Sequence, residues 1–349
     1  MKEAQLDKPK SSPGFSHGQM PAEWEVHHRT WMAWPSRNEV WGSYLEETKR
    51  EYATVANVIR EFEPLTMIVH PKDLGEAGQY LASDIEILPV KIDDSWARDS
   101  GPNFLVSTEG KLLGTCWRFN AWGEKYHPYH NDAALAARVV REAGGEILSS
   151  PLVGEGGAIS VDGEGTILTT ESCLLNRNRN PGWSKEDVEK ELCRTLGGEK
   201  VIWLPGNPKE EETNGHVDGV AVFVRPGVVL VEQSRDPGHP FYEEQKANVA
   251  ALQGQLDARG RRLELAFIED AWGVEEPNDK FCLSYINFYL VNNGVIMPKY
   301  GVPADARAEA VLANLFPERK VISLSIDHIA RGGGGIHCIT QQQPALKAR

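Results

Sequence analysis

The sequence predicts a single domain of mixed α and β structure. Strand-like and helix-like segments alternate along the chain, no Pro/Ser-rich linker interrupts it after residue 20, and 349 residues with 41% hydrophobic content can bury a large core. Residues 1–19 are polar, dotted with Pro, Gly and Ser, and lack periodicity, so they predict a disordered arm, with the folded body spanning 20–349.

In chain order, Val55, Val58, Ile59 and Phe62 share one helical face ahead of the apolar run Leu65 to Val69, which suits a buried strand. Ser184, with Asp187 three residues on, marks a helix start for the stripe Val188, Leu192 and Leu196. Val228 to Val231 is β-rich. Tyr285 to Val291 runs through Asn292-Asn293-Gly294 into Val295 to Met297, which reads as a hairpin. Pro303 opens a helix carrying Ala308, Val311, Leu312 and Leu315, and Val321 to Ile326 is a further strand. No internal repeat is visible to the eye, although fold symmetry can outlast sequence similarity.

Composition narrows the function. The formal net charge of −13 works against nucleic acid and anionic lipid and favours a cationic small molecule. No apolar run reaches the length of a spanning helix and the first residues carry no secretion signal, so a cytoplasmic location without membrane partners is expected. Five scattered cysteines without a CxxC pair suggest reduced thiols rather than disulfides or a zinc knuckle. Zinc hydrolases need HxxxH, HxH or CxxC spacings, and Walker and Rossmann glycine patterns are absent too, so neither metal nor cofactor is expected.

The chemistry concentrates in glycine-punctuated segments. Cys338 follows four glycines (332–335), which allow positive φ and close approach of a ligand, whereas Cys116, Cys173, Cys193 and Cys282 lie in apolar contexts and read as core. His337 adjoins Cys338, but successive residues of a strand point to opposite faces, so it reads as structural. His216 stands two residues before Asp218, which in extended backbone puts both on one face. Asp99, in Trp96-Ala-Arg-Asp99-Ser-Gly-Pro102, could equally be a capping acid. Glu155, between Gly154 and Gly156, could orient a histidine or be an exposed loop acid. Trp96 offers an apolar wall for an aliphatic chain.

Taken together, these segments resemble the agmatine deiminases of the guanidine-modifying, or pentein, superfamily, which also contains arginine deiminase and bacterial peptidylarginine deiminase. The resemblance runs from Met20-Pro-Ala-Glu-Trp24 and Thr30-Trp-Met-Ala-Trp-Pro35 through Trp96 to Pro102, Phe119-Asn-Ala-Trp-Gly123, Glu155-Gly-Gly157, Leu174 to Pro181 and Gly215-His-Val-Asp218, to Gly332 through Gln342. It implies a five-fold pseudosymmetric α/β propeller. It also implies roles: Asp99 and Asp218 clamping a guanidinium, Cys338 as nucleophile, His216 as proton shuttle, Glu155 holding His216, and Glu212 meeting the amine end of agmatine. A homo-oligomer is the usual expectation for a soluble enzyme of this kind. The expected reaction is hydrolysis of agmatine to N-carbamoylputrescine and ammonia through an amidino-cysteine intermediate. Deimination of free or peptidyl arginine and non-catalytic guanidine binding are the alternatives; Arg331 is the residue that could receive an arginine's α-carboxylate.

Overall fold

The computed structural model describes residues 18–274 and 280–347. The expected arm therefore lies outside the described residues up to position 17. Gln19 already pairs with Val106, and the Met20 N–H donates to Leu196 O at 2.9 Å.

Among the described residues the strands form five sheets. Four share one plan, an antiparallel hairpin, then a helix, then a third strand parallel to the second. They are Asn103–Val106, Leu112–Arg118 and Glu146–Val153; Ile159–Val161, Thr166–Thr170 and Lys200–Leu204; Ala221–Arg225, Val228–Glu232 and Glu264–Ile268; and Tyr289–Val291, Gly294–Lys299 and Lys320–Ser325. The crossover helices are Leu135–Glu142, Lys185–Leu196, Tyr242–Leu252 and Pro303–Leu315. In the remaining sheet the hairpin is replaced by the two chain ends: Thr340–Pro344 runs antiparallel to His27–Ala33, which the helix Leu45–Ile59 connects to the parallel strand Leu65–Val69, with Glu86–Pro89 beyond it. A structural repeat is thus present where the sequence shows none.

Local chemistry accounts for the elements foreseen. Ser184 and Asp187 form the expected capping box, with both bonds at 3.1 Å. The hairpin at Asn292-Asn293 is present, with Asn293 at φ 64°, but its first strand begins only at Tyr289. The helix expected to include Phe62 stops at Ile59. The strand expected to carry Cys338 starts at Thr340, and residues 336–339 form a turn closed by the Thr340 N–H on His337 O. No helix among the described residues is long and apolar enough to cross a membrane.

Candidate active site

One position recurs in every sheet, the short turn that precedes its first hairpin strand. Asp99 lies on the helical turn Ala97–Ser100 before Asn103; Glu155 precedes the 3-10 turn Gly156–Ala158 before Ile159; His216 and Asp218 flank and occupy the 3-10 turn Val217–Gly219 before Ala221. Asn287 precedes Tyr289, and Cys338 precedes Thr340. Segments 239 residues apart in sequence therefore meet, for instance through Arg98 Nε and His337 O.

The predicted residues come together. An added Cβ at Gly157 would stand 2.6 Å from His216 Nδ1, 2.8 Å from Asp218 Oδ2 and 3.0 Å from Asp99 Oδ1, so these atoms surround a point that only glycine leaves open. Cys338 Sγ lies 3.7 Å from Asp218 Oδ2, and His216 Nδ1 lies 3.9 Å from Asp99 Oδ1. His216 and Asp218 do face one point, though from a 3-10 turn rather than the extended backbone expected. The glycine run also has a steric basis: a Cβ at Gly334 would reach 2.5 Å from Trp96 and one at Gly335 2.6 Å from Asn287 Oδ1.

Each group has a support. Glu155 is fully buried and spans two cations, accepting from Arg179 Nε at 2.7 Å and meeting His216 Nε2 at 3.2 Å. Asp99 accepts from the Gly157 N–H at 3.0 Å and from Trp122 Nε1 at 2.8 Å. Trp122 is presented by four consecutive residues with positive φ, Ala121 to Glu124 at 52°, 55°, 96° and 61°. Non-glycine residues adopt this left-handed region at a cost of roughly 1–2 kcal/mol each, so the turn is conformationally strained beside the site. Asn287 ties two turns together: its Oδ1 accepts from the Cys338 N–H at 3.2 Å and its Nδ2 donates to Asp218 O at 3.3 Å. His337, read from sequence as structural, has Nδ1 2.8 Å from Asp218 Oδ2 and Nε2 2.9 Å from Glu23 Oε1.

Electrostatics set the protonation states of the empty site. Burial, then the charges of Asp218 and Asp99, push the Cys338 thiol well above its ordinary value. Burial also raises Asp99, with His216 opposing. For His216 burial favours the neutral ring, but Asp99, Cys173 and Glu155 outweigh it and raise its pKa well above 6.5. Burial likewise opposes ionisation of Glu155 and Asp218. Arg179 and His216 keep Glu155 low, and His337 does the same for Asp218.

A cavity of about 430 Å³ opens above Cys338 and Asp99. Trp96, Trp122 and Tyr126 supply its apolar walls; Asp94 and Glu212 add carboxylates, and Arg331 also lines it. Asp94, not singled out from sequence, is pushed by burial up to about 6. Glu212 is held by Tyr126 OH and lies 3.2 Å from Lys280 Nζ. The Arg331 guanidinium stacks 4.5 Å from the centre of the Tyr44 ring.

Of the other cysteines, Cys173 is a buried core residue as expected, and its Sγ lies 3.9 Å from Glu155 Oε2. Cys116, Cys193 and Cys282 are half-buried, Cys116 and Cys282 packed against core clusters. Glu155, Cys173 and His216 bring ligand-type atoms within 4.8 Å of one another. Arg179 already occupies one oxygen of that carboxylate, and its cation opposes a metal there.

Comparison with known proteins gives a consistent picture. The family described as Porphyromonas-type peptidyl-arginine deiminase matches residues 19–344. A Streptomyces coelicolor protein is 44% identical over 333 residues, covering 93% of this chain and 98% of its own. The agmatine deiminase of Pseudomonas aeruginosa is 38% identical, covering 97% and 99%. The solved structure of agmatine deiminase of Enterococcus faecalis superposes with a TM-score of 0.90 at 34% identity, covering 99% of both chains. The chain belongs to the Porphyromonas-type peptidyl-arginine deiminase family, with agmatine deiminases among its relatives over nearly the whole length.

Proposed function

We propose that the protein hydrolyses agmatine to N-carbamoylputrescine and ammonia, with Cys338 as nucleophile. The observation that carries this reading is the convergence of Asp99, Asp218, His216 and Cys338 at the foot of a cavity whose walls are aromatic and acidic. In this reading the five sheets form the blades of a five-fold pseudosymmetric propeller, and residues 20–349 are the catalytic body.

A guanidinium is a weak electrophile because its charge is spread over three nitrogens. Paired carboxylates orient its plane and localise the charge, leaving the central carbon open to attack. Asp99 and Asp218 form that clamp. The thiolate of Cys338 adds to the carbon, and the His216 imidazolium gives a proton to the departing nitrogen, which leaves as ammonia. Neutral His216 then takes a proton from water, whose oxygen attacks the amidino carbon, and the thiolate departs as the ureido product forms. Glu155, fixed by Arg179, orients the imidazole and stabilises its charge.

Asp94 and Glu212 support a cationic substrate tail, and Trp96 flanks the path between. An α-carboxylate would meet these acids, with Arg331 as the available counter-charge. The test is to incubate purified protein with agmatine, arginine and a short arginine peptide and measure ammonia and ureido products. Preference for agmatine by about a hundredfold in kcat/KM, roughly 2.7 kcal/mol, is expected. Equal turnover of arginine would remove the substrate assignment.

A further inference from the structure

The mechanism above makes no use of a buried histidine that touches the guanidinium clamp. His337 is 3% exposed and lies between two carboxylates, Asp218 at 2.8 Å and Glu23 at 2.9 Å. A carboxylate can only accept, so both ring nitrogens must carry hydrogen, which makes the ring an imidazolium. The alternative, a neutral ring facing a protonated Glu23, is disfavoured because Glu23 is held down at about 2. Burial there is outweighed by His337 and Arg98.

We propose that His337 is a positioning residue that holds Asp218 as an oriented carboxylate in the site, and is itself fixed from behind by Glu23. The proposal rests on the reading of Asp218 as part of the clamp. The arrangement is a carboxylate–imidazolium–carboxylate chain parallel to the one that Glu155 builds behind His216.

Every element packed against the ring contributes to its state. Glu23 comes from the segment before the first strand, and Asp218 from the 3-10 turn. Arg98 comes from the helical turn before Asn103, reaching His337 O with Nε at 3.3 Å and Glu23 with its Nη1 at 3.6 Å. His27 lies behind Glu23, with Nε2 2.9 Å from its carbonyl. Burial and Arg98 both oppose the imidazolium, and the two carboxylates outweigh them, so the ring is raised above its ordinary value. The His337 backbone is fixed as well, its N–H donating to Asn287 O at 3.1 Å. Without this cation, Asp218 would face burial and the Asp99 charge with only His216 and Arg98 to keep it ionised.

Two variants separate charge from geometry. His337→Asn retains a neutral donor for Asp218, and His337→Ala removes it. In His337→Asn the acid limb of kcat/KM should move to higher pH by about one unit, because Asp218 loses the opposite charge that kept its pKa low. Above that limb most of the activity should return. His337→Ala should lose about tenfold or more at every pH. A purely structural role would lower activity uniformly and leave the limb in place, which would overturn the proposal.

Imidazole 15N NMR on histidine-labelled protein provides a readout that needs no substrate. Wild-type His337 should titrate above the ordinary histidine value, and Glu23→Gln should bring its titration down. A wild-type His337 ring that titrates at or below the ordinary histidine value, or an unchanged titration in Glu23→Gln, would refute the proposal even if His337→Asn fails to fold. Failure of the wild type to release ammonia from agmatine would instead remove the functional reading, and the NMR result would stand apart from it.

Discussion

Replacing Glu155 by Gln is the sharpest single perturbation of the site. The carboxylate is fully buried and is bound on one oxygen by Arg179 at 2.7 Å and on the other by His216 at 3.2 Å. Gln keeps an acceptor for one of them but turns an N–H toward the other, and each partner is a donor. Because Arg179 cannot give up its proton, the conflict falls on His216, which must become neutral with Nε2 as acceptor and the proton on Nδ1. The ring then lacks the charge needed to protonate the departing nitrogen. A lost charge-assisted bond of about 2.7 kcal/mol corresponds to about a hundredfold in kcat. Breaking a buried ion pair from one side also costs stability, about 3 kcal/mol here because one acceptor survives. This loss carries a pH signature. The folded Glu155 carboxyl lies below its ordinary 4.5, so its contribution is complete above that value and disappears as pH falls through the folded value. The gap between wild type and Glu155→Gln in urea unfolding should therefore narrow on acidification below 4.5. An activity loss under tenfold at neutral pH, or a stability gap independent of pH, would refute the reasoning.

Cys338→Ser should abolish turnover while changing stability by less than about 1 kcal/mol, read by ammonia release and urea unfolding. A haloacetamidine should alkylate Cys338 before the partly exposed Cys116, Cys193 and Cys282, with agmatine protecting, whereas neutral iodoacetamide should show no such selectivity; mass spectrometry decides. Glu212→Gln should narrow the preference for agmatine over arginine mainly by weakening agmatine, and an unchanged ratio would clear Glu212 of that role. Gly157→Ala should lower kcat/KM by about a hundredfold or more, since its methyl would occupy the point where His216, Asp218 and Asp99 converge. Near-normal kinetics would mean that the substrate does not enter there.

The elements that local chemistry determines were legible in the sequence: the Ser184–Asp187 cap, the Pro303 helix start and the Asn292-Asn293 turn. The pairing of His216 with Asp218 was legible from their spacing on one turn, but their convergence with Asp99, Glu155 and Cys338 was available only through motif resemblance, because these come from three other turns. The groups that support them escaped notice for the same reason. Trp122 reaches Asp99 across 23 residues, Arg179 reaches Glu155 across 24, and Glu23 reaches His337 across 314. Asn287 was embedded in a run read as a strand, and nothing local distinguishes its amide from a surface one. The five-sheet repeat was hidden because hairpin, helix and parallel strand can be built from unrelated apolar residues, provided the alternation is kept.

On the proposed reading, the placement of charge makes the nucleophile and the substrate depend on each other. In the empty site Cys338 has two carboxylates nearby and a raised pKa, while His216 holds its proton, so the resting pair is thiol and imidazolium rather than thiolate and imidazole. A neutral thiol is a poor nucleophile and is comparatively safe from adventitious electrophiles. A bound guanidinium would bring one positive charge between Asp99 and Asp218, the two acids that help raise the thiol pKa. Their repulsion of a thiolate is then offset by the same cation that needs to be attacked. The thiol proton must leave without being taken by His216, which is already protonated; the cavity above Cys338 gives it a route to solvent. This coupling makes reactivity follow charge at the guanidinium position. A cationic amidine is therefore expected to label Cys338, while neutral reagents of the same size meet the unreactive thiol.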